Sequence, residues 1–207
     1  MVKQEHRDSG RLPRPLRRAG LPSGTVELAE YLIGKTLIHC LPGGLLSGRI
    51  VETEAYPVGD VAGHAFPGRT QRNSSLFLPP GHAYVYLIYG SALMLNVTSE
   101  SKGTGAGVLL RALEPLQGME LMQRLRQTKR LLELTRGPGR LAQAMAIKLS
   151  DDGHDLCEPG RLWLAASARK AGGISQSARI GVSGNVEYLW RFFERDTTYV
   201  IGPKNLR

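Results

Sequence analysis

The chain has 207 residues, of which 42% are hydrophobic and 22% charged, a composition that suits one domain with a sizeable core and argues against disorder over most of its length. The formal net charge is +9, with 27 Lys and Arg against 18 Asp and Glu, and a soluble domain this basic usually meets a polyanion, most often nucleic acid. The two cysteines, Cys40 and Cys157, lie far apart without a C-x-x-C pairing, and no apolar run reaches about 18 residues, so a disulfide framework, a zinc ribbon and a membrane span are excluded and a soluble intracellular protein is expected.

Residues 1 to 24 carry six Lys and Arg, two acids and three prolines with no periodicity, which reads as a flexible basic arm. It is either a tether for DNA phosphates or a passive tail. One domain over residues 25 to 207 comes next, opening on "TVELAEYLIGKTLIHC". Thr25 can cap a helix there, Leu28, Leu32 and Ile33 form its stripe, and Gly34 stops it. A strand through "KTLIHC", a turn at "LPGG" and an alternating stretch from Leu46 to Tyr56 make a hairpin. The Gly- and Arg-rich loop from Pro57 to Asn73 is longer than a connection needs and is a candidate for function.

"HAYVYLIY" is a strand by its aromatic and β-branched content, "GSALMLNVTS" is its return, and "AGVLLRAL" is another. After Glu114-Pro115 the period changes: Leu116, Met119, Met122 and Leu125 recur at helical spacing, and "RLAQAMAI" starts a second helix. Seven basic residues and one acid lie between Arg124 and Lys148, giving this helical pair a positive face. Short strands at "RLWLAA", "ARIGVS" and "YLWRFFE" complete an α+β domain with an antiparallel-rich sheet flanked by helices.

A strand's period of two places Ile50, Glu52, Glu54 and Tyr56 on one side, with Val51, Thr53 and Ala55 opposite. Two acids on one face, roughly 7 Å apart, can act as an acid/base pair, or one can be the catalyst and the other structural. An edge strand with a polar exposed face would look the same. Position favours a site, because Glu54 and Tyr56 end the strand beside the long loop containing His64. In "AYVYLIYG", Tyr84 and Tyr86 share a face, while Tyr89 sits just before Gly90 at the hairpin tip. A tyrosine there suits a wedge between base pairs, or packs on a neighbouring loop. Asn96 and Arg111 each interrupt an apolar strand and need a polar partner, which a pocket, a buried salt bridge or a solvent-facing edge would supply.

Two phosphate-loop look-alikes fail. "GTGAG" at 103 to 107 lacks the third glycine of a dinucleotide fingerprint, and "GKT" at 34 to 36 lacks the glycine that opens G-x-x-x-x-G-K-[ST]. The five histidines have no metal-ligand spacing, so hydrolysis would rest on acid/base work. A carbohydrate hydrolase using Glu52 and Glu54 stays open, although two tryptophans and a +9 charge suit sugars poorly. So does a damage-recognition protein without turnover.

Seven segments in register, "GRIVETEAY", "DVAGHAFPGRTQRNSSLF", "PPGHAYVYLIYG", "LNVTSE", "VLLRALEPLQGME", "GPGRLAQAMAI" and "ARIGVS", resemble the alkyladenine (3-methyladenine) DNA glycosylase family over about residues 25 to 202. The resemblance implies a monofunctional, monomeric base-excision enzyme for damaged purines in double-stranded DNA, with no cofactor, no metal and no membrane partner. Depending on its source it would work in the bacterial nucleoid or the nucleus. The implied fold is a curved antiparallel sheet with a β-hairpin carrying the intercalating Tyr89. By motif, Glu54 is the general base that activates water, and Arg111 and the Ile180 carbonyl help hold that water. Tyr56, His64 and Tyr86 form the cage around an extruded purine, and Asn96 screens its edge.

Overall fold

The computed structural model describes residues 12–88 and 90–202. Tyr89, the expected wedge, and the first eleven residues of the expected arm lie outside them. Eight strands form one sheet in which every pair is antiparallel: β1 (Thr36–Leu41), β2 (Gly44–Tyr56), β3 (Ala83–Ile88), β4 (Ala92–Thr98), β5 (Gly107–Gln117), β6 (Leu162–Ala165), β7 (Ile174–Ser177) and β8 (Arg191–Glu194). The order is β3-β4-β5-β2-β1-β6, and β8 pairs with both β2 and β7. Among the described residues three α-helices flank the sheet, α1 (Thr25–Leu32), α2 (Met119–Arg126) and α3 (Pro138–Ala144).

The 13-residue β2 organises the sheet, because it is longer than any one partner. One edge pairs with β5; the other is shared, its first half by β1 and Glu52, Thr53 and Glu54 by β8. The strand is therefore central, and the reading of an exposed polar edge fails: Glu52 and Glu54 have no accessible surface. Simple alternation fails too. Ile50 pairs with Leu113 and Glu52 with Ala112, so Val51 is an extra residue in the ladder and reverses the facing of the residues beyond it. Ile50 packs in the main core with Ala55, and the Thr53 hydroxyl donates to the Ala29 carbonyl of α1 at 2.8 Å. Val51 joins a second cluster with Ala112, Phe193 and Val200. The bulge puts Ile50 away from the acids while leaving Glu52, Glu54 and Tyr56 together.

The main core lies between the sheet and the helices, with Leu28 and Leu32 of α1, Met122 of α2 and Leu141 of α3 meeting Leu37, Leu46, Val108 and Leu110. α1 starts at Thr25, but the position before it is Gly24; the Thr25 hydroxyl donates instead to Glu100 at 2.7 Å. Gly34 ends the helix as expected, in the left-handed region at φ +83. β5 runs on through Pro115 and Leu116 before α2 begins, so Leu116 belongs to a strand and not to the helical stripe. "ARIGVS" lies after β7 as irregular backbone instead of forming a strand.

The second half of the basic arm is attached to the fold. Leu16 is buried and its N–H donates to the Leu164 carbonyl at 2.8 Å, and Trp163 donates through Nε1 to the Pro13 carbonyl at 2.9 Å. Arg18 pairs with Asp155. An indole edge and an apolar face on β6 give this segment something to cover, which composition alone could not reveal.

Candidate active site

Glu54, near the C-terminal end of β2, has its carboxylate held by three donors from three parts of the chain. Ile180 donates its backbone N–H to Oε1 at 2.7 Å, while Arg111 Nη1 at 2.9 Å and the Tyr56 hydroxyl at 3.0 Å donate to Oε2. Burial pushes this carboxyl above the usual range, and Arg111, the Ile180 amide and Tyr56 oppose the shift without cancelling it. The Ile180 contact is through its N–H, where the family likeness points to its carbonyl. Burial also drives the Tyr56 hydroxyl far up, and Glu54 beside it adds to the effect, so Tyr56 remains a neutral donor.

Arg111 comes from β5 and divides its guanidinium between two acids, with Nε donating to Glu52 at 2.9 Å and Nη1 to Glu54. Glu52 too accepts three bonds. Oε1 also accepts from Arg191 Nε at 2.8 Å, and Oε2 accepts the Ile201 N–H at 2.7 Å. A carboxylate tied to two arginines and a backbone amide positions Arg111, and none of its partners lines the aromatic cavity beside this network, which leaves a two-acid hydrolase without a second acid there.

Beside this network lies a cavity of about 170 Å³ lined by Tyr56, His64, Tyr84, Tyr86, Asn96 and Gly181, among others. The expected cage residues and Asn96 thus share one wall system, although they come from β2, the long loop, β3 and β4. His64 Nδ1 bonds the Tyr84 hydroxyl at 2.9 Å, and its ring meets Tyr86 at 4.3 Å between centroids. Tyr84 and Tyr86 stack at 5.2 Å. Burial holds His64 below the ordinary histidine range, assisted by Arg72, so its ring is neutral near pH 7. The Asn96 amide makes only a long contact with the Tyr84 carbonyl, at 3.4 Å. Glu54 does not line the cavity itself; its carboxylate lies one residue away, behind Tyr56 and the Ile180–Gly181 peptide. Gly105 completes the wall where a side chain has no room, since a Cβ would fall 2.5 Å from Phe77 and 2.7 Å from Ala65.

A family model described as methylpurine-DNA glycosylase matches residues 21–198, which is nearly the whole described fold. The chain belongs to the methylpurine-DNA glycosylase family. It is therefore a DNA-repair glycosylase, a hydrolase of N-glycosyl bonds. Three bacterial relatives carry the name "Putative 3-methyladenine DNA glycosylase". That of Mesorhizobium japonicum is 57% identical over 93% of both chains. That of Paraburkholderia phytofirmans is 50% identical over 93% of this chain and 90% of its own. That of Chlorobium phaeovibrioides is 45% identical over 88% and 91%.

The glycosylase holds its long loop with residues to which sequence pattern alone gives no role. Asn73, 4% exposed, donates to the carbonyls of His64 at 2.8 Å and Gly68 at 2.9 Å and accepts from the Thr70 N–H at 2.6 Å. Asp60 pairs with Arg179 through both carboxylate oxygens and accepts from the Asn185 amide at 2.8 Å. Burial pushes the Asp60 carboxyl up, but bonds from Arg179, Asn185 and the Ala62 amide outweigh it and hold it below the usual range. Among the described residues of the glycosylase no group of three His, Cys, Asp or Glu could hold a metal, and no helix is long and apolar enough to cross a membrane.

Proposed function

We propose that the protein draws a methylated purine nucleotide out of duplex DNA into the aromatic cavity, and that Glu54 takes a proton from the water that attacks the sugar C1′. The observation that carries this reading is the bond from Tyr56, a cavity residue, to the Glu54 carboxylate, which joins the aromatic cage to an acid of raised pKa. Three donors occupy Glu54, and a carboxylate offers about four acceptor sites, so one on Oε1 remains for a water proton.

The other roles rest on the same geometry. A base in the stack is out of reach, so extrusion is required, and damaged or mispaired bases cost least to extrude. Tyr56, His64 and Tyr86 sandwich the purine and Asn96 screens its edge. A base alkylated on a ring nitrogen is cationic, attracts aromatic faces by about 1 to 2 kcal/mol, and already leaves readily, so a single carboxylate suffices. Ile180 and Arg111 orient the carboxylate and its water. Tyr89 follows in sequence directly after Ile88, the last residue of β3, and a tyrosine at that position along the chain supports a wedge filling the vacated step. The protein would act as a monomer, and DNA as substrate supports a site of work inside the cell.

The test is release of base from a methylated duplex without added metal. Wild type should excise and Glu54→Gln should lose a factor of about 10²–10⁴. Equal release by the two proteins would overturn the assignment.

A further inference from the structure

Arg179 and Asp60 touch no reacting atom in this scheme, yet they stand directly behind the cage. The Arg179 side chain has no exposed surface, and its guanidinium lies over the Tyr56 ring at 4.6 Å and over the Trp190 ring at 5.0 Å. Trp190 stacks in turn on Tyr188 at 4.3 Å, with 5° between the planes. The guanidinium also donates to the carbonyls of Ala55 at 3.1 Å and Gly184 at 3.4 Å, so it is fixed to the strand end and to the segment after β7.

One face of Tyr56 is therefore occupied by a cation, and a base stacking on this ring has only the opposite face. The centre of such a base lies roughly 8 Å from the guanidinium across a dry aromatic ring. An unbalanced positive charge at that range repels a cationic base and leaves a neutral one nearly untouched. Asp60 supplies the balance: its carboxylate, 2% exposed, sits on the guanidinium and is held there by Asn185 and the Ala62 amide.

We propose that the Asp60–Arg179 pair sets the charge preference of the cavity, with Asp60 as the specificity-determining residue that lets a cationic purine stack on Tyr56. This rests on the glycosylase reading of the cavity. A scaffold role alone would affect all substrates alike, because the pair also ties the loop after β2 to the segment after β7.

The experiment compares single-turnover excision of 7-methylguanine, a cation, with that of hypoxanthine, a neutral purine, in the same duplex. Their ratio is independent of the fraction of protein that is folded. Asp60→Asn should lower the cation-to-neutral ratio by about tenfold, and Arg179→Met should raise it. The double variant, with neither charge, should return to within about threefold of wild type, because the two effects share one Coulombic origin. Where hypoxanthine is not released, binding of the same two duplexes measured by anisotropy supplies the ratio. Equal losses on both lesions, or single variants that move the ratio in the same direction, would overturn this inference while leaving the glycosylase reading intact. A wild type that releases and binds neither lesion would overturn both.

Discussion

Replacing Arg111 with leucine should separate the two jobs this side chain performs. In the folded protein Arg111 is 5% exposed, and its guanidinium meets Glu52 at 2.9 Å and Glu54 at 2.9 Å. At an effective dielectric of about 20, each pair with charge centres about 4 Å apart contributes about 4 kcal/mol of attraction. The desolvation of Arg111 itself, relieved in the variant, offsets several kcal/mol of the total, which leaves a net loss of about 3–5 kcal/mol. For a chain of this size that corresponds to a fall in Tm of roughly 6–20 °C. Glu54 also loses the charge that favours its ionised form. The Glu54 carboxyl, already raised by burial, should rise further, and the acid limb of kcat/KM should move to higher pH. Urea denaturation followed by circular dichroism gives the first quantity, and single-turnover base release between pH 5 and 9 gives the second. Arg111→Lys restores a charge but not the two-pronged geometry and should fall between the leucine variant and wild type. A stability loss below about 1 kcal/mol together with an unmoved acid limb would refute the account of the network.

Removing residues 1–24 should destabilise the fold by about 2–4 kcal/mol through the loss of the Leu16 and Pro13 contacts, whereas removal of residues 1–11 spares them; equal unfolding midpoints for the two truncations would contradict this. If residues 1–11 tether DNA, their removal should also flatten the salt dependence of binding. Stability should fall on acidification in two stages. His39 and His64 have folded pKa values below their unfolded value, so their contribution is present above about pH 6.5 and is lost as pH falls through the folded values. Asp60 and Glu194 are likewise depressed, and their contribution is lost below about pH 4, whereas Glu54, raised by burial, works in the opposite sense. Urea midpoints that stay flat from pH 8 to pH 5 would contradict the histidine part.

Much of the geometry around the cavity is legible in local pattern. A period of two over a strand that ends in a loop is enough to bring Glu54 and Tyr56 to one face beside a cavity, and the aromatic alternation of β3 puts Tyr84 and Tyr86 side by side. The α+β architecture is legible in strand content and in the change of period after β5. The features that escape local pattern depend on long-range pairing. The Val51 bulge is set by how β2 meets β5 and leaves no mark in alternation, so alternation puts Ile50 on the wrong face. Arg179 and Asp60 lie 119 positions apart, and only the folded chain brings one behind Tyr56 to meet the other. The strand expected at "ARIGVS" has the right composition. Its backbone is committed elsewhere, with the Ile180 N–H turned to a carboxylate where a ladder would need it.

The bond from the Ile201 amide to Glu52, reinforced by Arg191 donating to the Ile201 carbonyl at 2.5 Å, bears on the order of events during synthesis. The ribosome delivers Glu52, Glu54 and Arg111 early, but the brace that steadies them arrives some ninety residues after Arg111, roughly the span between the two positions. A nascent polypeptide can close its cavity and still lack that brace. Completion of the network thus waits until Ile201 reaches Glu52, and a change at residue 201 is felt two positions from Glu54.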